Sequence, residues 1–105
     1  MARMAYAAEI VTYTITTDQA EYFRLRKAAI LDVKRRHPQL MAVPFAGKRE
    51  DGSWYDVWIY ETLEAAQAAN ENMAEMLDFM KFFGVLENVA IEITTFPEDA
   101  ADPLA

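Results

Sequence analysis

The sequence predicts an α+β fold: an antiparallel four-stranded sheet with two helices on one face, in the order β-α-β-β-α-β. Three observations predict it. Three segments alternate between two faces with the period of a strand and a fourth reads as extended, two carry apolar residues at helical spacing, and caps and turns separate them. The chain has 105 residues, and burial scaling has such a chain hide roughly two-thirds of its surface on folding. One domain is expected over 1–105, folded from about 8 to 96, with an acidic tail over 97–105.

Residues 8–15, AEIVTYTI, are rich in β-branched and aromatic side chains and read as a strand. Thr16, Thr17 and Asp18 offer N-cap oxygens, and a helix follows to about Arg36. Lys34, Arg35 and Arg36 suit its negative C-terminal end, and Pro38 stops it at His37. Residues 40–48, LMAVPFAGK, form a second extended segment. Pro44 removes a ladder donor there and places the strand at a sheet edge. Glu50-Asp51-Gly52-Ser53 signals a hairpin turn into WYDVWIYE at 54–61.

Thr62 caps a second helix over 63–83, closed by Lys81 and by Gly84 as a left-handed residue. Ala66, Ala69, Met73, Met76, Leu77 and Met80 form its apolar stripe, which reads as core packing. The last strand is 89–96, VAIEITTF. This order is the split βαβ arrangement of the ferredoxin-like fold. Right-handed crossovers put both helices on one face. Val11, Tyr13, Ile15, Val57, Ile59, Val89, Ile91 and Ile93 are expected beneath them. Ile10, Thr12, Thr14, Trp54, Asp56, Trp58, Tyr60, Glu92 and Thr94 are expected on the open face, whose aromatic and polar content suggests an interface enclosing a pocket.

Composition narrows the chemistry. There is no cysteine, one histidine (His37), one serine (Ser53) and three glycines. Disulfides, thiolate catalysis and multi-histidine or cysteine metal sites are excluded within one chain, and no metal is expected. Ser53 sits in a turn without a nucleophile-elbow context, and the scattered glycines make no phosphate loop. The net charge of −7 argues against nucleic acid as a partner. Charge is segregated: residues 24–49 hold eight bases and one acid, and the remainder two bases and sixteen acids. That basic run reads first as a solvated helix face and second as a patch attracting an anion. No apolar run reaches a membrane span, and the opening MARMAYAAEI turns acidic too soon for a secretory leader. The lack of cysteine fits a cytoplasmic location.

Over residues 8–96 the chain resembles the dimeric α/β-barrel proteins, specifically the antibiotic-biosynthesis-monooxygenase-like group. The element order, the length and the segment DVWIYETLEAAQAA, similar to that group's W-x-S-x-E-A, carry the resemblance. It implies two protomers with sheets face to face, a cavity on each open face, and for some members oxidation of phenolic or quinol molecules by O₂ without metal or flavin. Trp58 matches the family's strand tryptophan. The haem-degrading branch has a first-strand asparagine and a histidine about ten residues past that tryptophan. This chain has threonines and Ala68 there, so haem is not expected and no cofactor is inferred.

The candidate site follows from these readings. Trp58 and Tyr60, with Trp54 and Thr12, are expected to hold a planar aromatic molecule by stacking. Asp56 and Glu92 are the candidate general bases, because enclosure by a partner sheet would raise their pKa values. Arg26 falls within the apolar stripe of the first helix, where it either snorkels, pairs with a carboxylate or reaches a substrate anion. His37 reads first as a helix-end cap and second as a catalytic or substrate-binding group. Two functions fit: a cofactor-independent monooxygenase acting on a small aromatic or polyketide-type molecule, or a non-catalytic dimeric ligand-binding or stress-associated module. Both require a homodimer.

Overall fold

The computed structural model describes residues 6–100. Its main elements are β1 (Tyr6–Ile15), α1 (Gln19–Arg36), β2 (Leu40–Ala42), β3 (Ala46–Lys48), β4 (Trp54–Tyr60), α2 (Leu63–Glu71), α3 (Leu77–Phe83) and β5 (Leu86–Phe96). Residues 1–5, part of the opening judged not to be a leader, and residues 101–105 of the acidic tail lie outside the described residues. No helix among the described residues is long and apolar enough to cross a membrane.

The strands form an antiparallel sheet in the order β2-β4-β1-β5, with β3 also paired to β4. This is the ferredoxin-like order, with the first strand central. The extended segment at 40–48 is at the edge, as expected, but it is split. Val43, Pro44 and Phe45 leave the ladder between β2 and β3, because proline has no N–H to contribute. The turn before β4 closes as predicted, with Gly52 at φ +89° and the Asp51 carboxylate accepting from the Ser53 backbone N–H at 2.9 Å.

Asp18 caps α1, accepting from the Glu21 backbone N–H at 2.8 Å. The second helix, expected to run unbroken over 63–83, is instead α2, a 3₁₀ turn (Met73–Glu75) and α3. The restart at α3 is capped from another element. The buried Asp32 carboxylate of α1 accepts from the backbone N–H groups of Asp78 (3.0 Å) and Phe79 (3.2 Å). These are orphan donors of the first helical turn. The break rotates the stripe: Leu77 (74% exposed) and Met80 (38%) turn outward, while Met76 and Phe82 are buried. Gly84 is right-handed (φ −65°) rather than left-handed. The left-handed residue is Asn88 (φ 55°), in the stretch where β1 and β5 shift register.

The faces of the sheet also differ from expectation. Pairing sets Tyr13 opposite Trp54, Val11 opposite Asp56, Glu9 opposite Trp58 and Ala7 opposite Tyr60. Directly opposed residues share a face, and all eight are buried. Trp54, Asp56, Trp58 and Tyr60 therefore lie beneath the helices, not on the open face. Val57 and Ile59, expected beneath the helices, are on the open face with Ala8, Ile10, Thr12 and Tyr55. β5 follows expectation, with Ile91 and Ile93 opposite Val11 and Glu9, and Glu92 opposite Ile10. The large indole and phenol rings gain more from a helix-covered face than valine and isoleucine do, and Asp56 finds a partner there.

Replacing Asp32 by alanine leaves the first turn of α3 uncapped inside the protein. Asp32→Ala should lower unfolding free energy by about 1–3 kcal/mol in urea titration, and Asp32→Asn, which keeps one acceptor, should lose less.

Candidate functional site

Among the described residues two carboxylates borne by the strands are buried beneath the helices, and their surroundings are opposite in kind. Asp56, at 0% exposure, is saturated. Arg26, from α1, donates to it twice, Nε to Oδ2 at 2.9 Å and Nη2 to Oδ1 at 2.8 Å. Tyr13 donates its hydroxyl to Oδ2 at 2.8 Å, and the Val57 backbone N–H reaches Oδ1 at 3.1 Å. The Tyr13 and Tyr22 hydroxyls are 2.6 Å apart. Because Tyr13 has one proton and gives it to Asp56, Tyr22 is the donor of that pair. The outcome is a closed relay, Tyr22 to Tyr13 to Asp56, locked by a planar guanidinium fork. Burial and the Asp56 charge push the Tyr13 phenol far above its ordinary range. Burial opposes the Arg26 charge, but hydrogen bonding and attraction to Asp56 outweigh it and raise the Arg26 pKa.

Glu9, at 7% exposure, is held by one side chain. Asn70 of α2 donates Nδ2 to Oε2 at 2.7 Å and shares the same amide with the Ala66 carbonyl at 3.1 Å. Among the described residues Oε1 accepts no hydrogen bond. Burial raises the Glu9 pKa, the Asn70 amide partly opposes this, and the Asp56 charge raises it further.

Glu9 and Asp56 line one cavity with Trp58, Asn70, Met73, Phe79 and Phe83, closed on the β5 side by Leu86, Val89 and Ile91. Phe79 meets Trp58 edge-on, centroids 6.3 Å apart. The free space is ≈ 30 Å³, room for about one or two waters. Ile91, 46% exposed, marks the rim. The cavity is thus between the sheet and the helices, where α2 breaks into α3, and not on the open face as expected.

The other candidate residues separate. Trp54 and Tyr60 are buried on the same side as Trp58. Trp54 packs against Tyr22 (4.8 Å) rather than lining the cavity. Thr12 and Glu92 are on the opposite face, around a shallow depression with Ile10, Arg49 and Tyr55. His37 caps α1 through its backbone, donating to the Val33 carbonyl at 2.7 Å, far along the chain from the cavity. Glu9 and Asn70 were not among the candidates. Their signals are a lone carboxylate in the core-facing set Val11, Tyr13, Ile15, and an asparagine on the Ala66–Met73 stripe. Among the described residues no group of three histidines, cysteines or carboxylates is placed to hold a metal ion.

No protein-family model matches the sequence, and no curated protein matches it significantly. Solved structures do match. SnoaB, a cofactor-independent oxygenase from Streptomyces nogalater, superposes with a TM-score of 0.67 at 14% identity over 94% of this chain and 98% of that one. An antibiotic biosynthesis monooxygenase-like protein from Caulobacter crescentus gives 0.67 at 14% identity, over 96% and 94%. A NIPSNAP family protein from Agrobacterium tumefaciens gives 0.65 at 20% identity, over 100% and 96%. The chain therefore shares the ferredoxin-like fold of antibiotic biosynthesis monooxygenase-like proteins, as its element order and DVWIYE segment suggested.

The Arg26–Asp56 pair has a measurable energetic signature. Removing one partner strands a buried charge, so Asp56→Ala should cost about 3–5 kcal/mol in chemical denaturation. Arg26→Met combined with Asp56→Leu should recover most of that loss, a coupling that a double-mutant cycle measures.

Proposed function

We propose that the protein is a cofactor-independent monooxygenase-like catalyst that takes a small aromatic, quinol or polyketide-type molecule into the cavity between sheet and helices. The observation that carries this reading is the union of Trp58 and phenylalanine walls with a buried, incompletely bonded carboxylate in one water-poor space. Trp58 and Phe79 present a face and an edge to a planar ring, contacts worth about 0.5–1.5 kcal/mol each. The Asp56–Arg26 pair holds the floor of the cavity rigid. Entry of a ring requires Met73 and Phe83 to swing outward, and both belong to the interrupted segment after Asn72. A substrate carbanion supplies the electron to O₂ in this reading, since O₂ chemistry otherwise draws on a cofactor. The fold shared with SnoaB supports it.

The alternative is a non-catalytic ligand-binding module of the same fold. The narrow cavity and the saturation of Asp56 favour it. Oxygen uptake separates the two: metal-free protein given dihydroxynaphthalene- and anthrone-type compounds should consume O₂ above the spontaneous rate. Trp58→Phe should fold normally and lower that rate at least tenfold. Uptake at the spontaneous rate across the panel removes the oxygenase reading.

In the same proposal the chain is one cytoplasmic domain that acts as a homodimer and does not bind nucleic acid. The tryptophans do not argue for the dimer, since the helices already cover them. Ile10, Tyr55, Val57 and Ile59 do, because they form an apolar strip across β1 and β4 on the open face, and Thr12 and Glu92 border it. Sedimentation should show a dimer at micromolar concentration, and Val57→Glu should shift it to monomer without unfolding it.

A further inference from the structure

We propose that Glu9, oriented by Asn70, is the proton acceptor of the cavity, taking a proton from an acidic carbon of an aromatic molecule lying against Trp58. This rests on the cavity being a substrate site. The two carboxylates that line the cavity compete for the role, and their bonding decides between them. A base needs a free lone pair directed at its substrate. Both oxygens of Asp56 are occupied, by Arg26, Tyr13 and a backbone N–H. Among the described residues Glu9 has only Oε2 engaged, and its carboxylate lines the free space beside Trp58, its direct cross-strand neighbour. Asn70 has little choice of orientation. Its amide nitrogen bonds both the Ala66 carbonyl and Glu9, so its donor end faces the carboxylate.

The surroundings tune the group in the direction the role requires. Burial is the leading influence and raises the pKa, and the charge of Asp56 adds to it, while Asn70 moderates both. Tyr60, from the same strand as Asp56, is the other titratable neighbour, and its own pKa is raised by burial and then by the Glu9 charge. A carboxylate so placed is a stronger base than one in water, and its product, a neutral acid, suits the apolar walls. In the step, the C–H bond of the bound molecule breaks as an O–H bond forms to Oε1. The bonding pair stays on the molecule as an enolate delocalised into its ring, and no oxidant is consumed.

The test follows proton transfer without O₂. 2-Indanone and anthrone, each deuterated at the acidic carbon, are incubated anaerobically with the protein, and loss of deuterium to water is read by mass spectrometry. Wild-type protein should accelerate loss from at least one probe, Glu9→Gln should reduce the acceleration about 100-fold or more, and Glu9→Asp should retain part of it. Equal rates for wild type and Glu9→Gln, or no acceleration by wild type with either probe, overturn the proposal. Folding is controlled by the same variant. Because folding raises the Glu9 pKa, the native state holds that proton more tightly. The contribution of Glu9 to stability is greatest below the ordinary carboxylate range and is lost as pH rises through the raised value. Glu9→Gln should therefore melt no lower than wild type at pH 8, with an advantage that shrinks toward pH 5. Deuterium loss without O₂ uptake keeps Glu9 as the base and removes the oxygenase reading. O₂ uptake unchanged in Glu9→Gln removes Glu9 and keeps the oxygenase.

Discussion

The fork of Arg26 on Asp56 is the constraint around which the helix side of the sheet is arranged. A carboxylate in the middle of a central strand belongs in a core only with a matching cation, and a guanidinium fits it in two parallel hydrogen bonds. Once Arg26 is committed, α1 has one rotation and one height over β4. Tyr22, one turn earlier on α1, then reaches Tyr13, and Tyr13 reaches Asp56. Trp54 packs on Tyr22 and Trp58 on Phe79. A buried pair of this kind contributes little net stability over a hydrophobic substitute, but it penalises every alternative register that would separate the partners.

The same pair explains why two carboxylates two register positions apart on neighbouring strands, facing one cavity, differ in chemistry. Asp56 is neutralised by a full complement of donors and serves as structure. Among the described residues Glu9 has one amide partner and a free oxygen, so desolvation is only partly offset. Surroundings that bond neighbouring carboxylates so differently are how one pocket assigns separate tasks to like groups. Keeping Glu9 under-bonded carries a stability penalty at neutral pH, the usual relation between reactive groups and their folds.

The break in the second helix places the cavity. A continuous helix over 63–83 would have kept Leu77 and Met80 on the inner stripe. Asp32 instead offers one carboxylate oxygen, Oδ2, to two backbone N–H groups of a new helix start, and α3 turns Phe79, Phe82 and Phe83 toward the sheet. One carboxylate on α1 therefore decides which residues of α3 become wall and which become surface.

Read alone, the sequence determined the element order, the edge position of the proline-bearing segment, both helix starts and the hairpin at Gly52, because caps, turns and periodicity act over a few residues. It also singled out Trp58, Arg26 and Asp56. It left the face of β4 undetermined. WYDVWIYE alternates equally well in either phase, and a one-residue choice exchanges every side chain between core and open face. Placing Val57 and Ile59 beneath the helices chose the wrong phase, since the Arg26 that draws Asp56 inward is thirty residues away on another element. Glu9 and Asn70, sixty-one residues apart, and the Asp32 cap on α3 were hidden for the same reason. Reactive scarcity, with no cysteine and one histidine, was plain from composition. Which carboxylate stays unsatisfied was decided only by packing, because a pKa and a free lone pair depend on neighbours that the chain brings together in three dimensions.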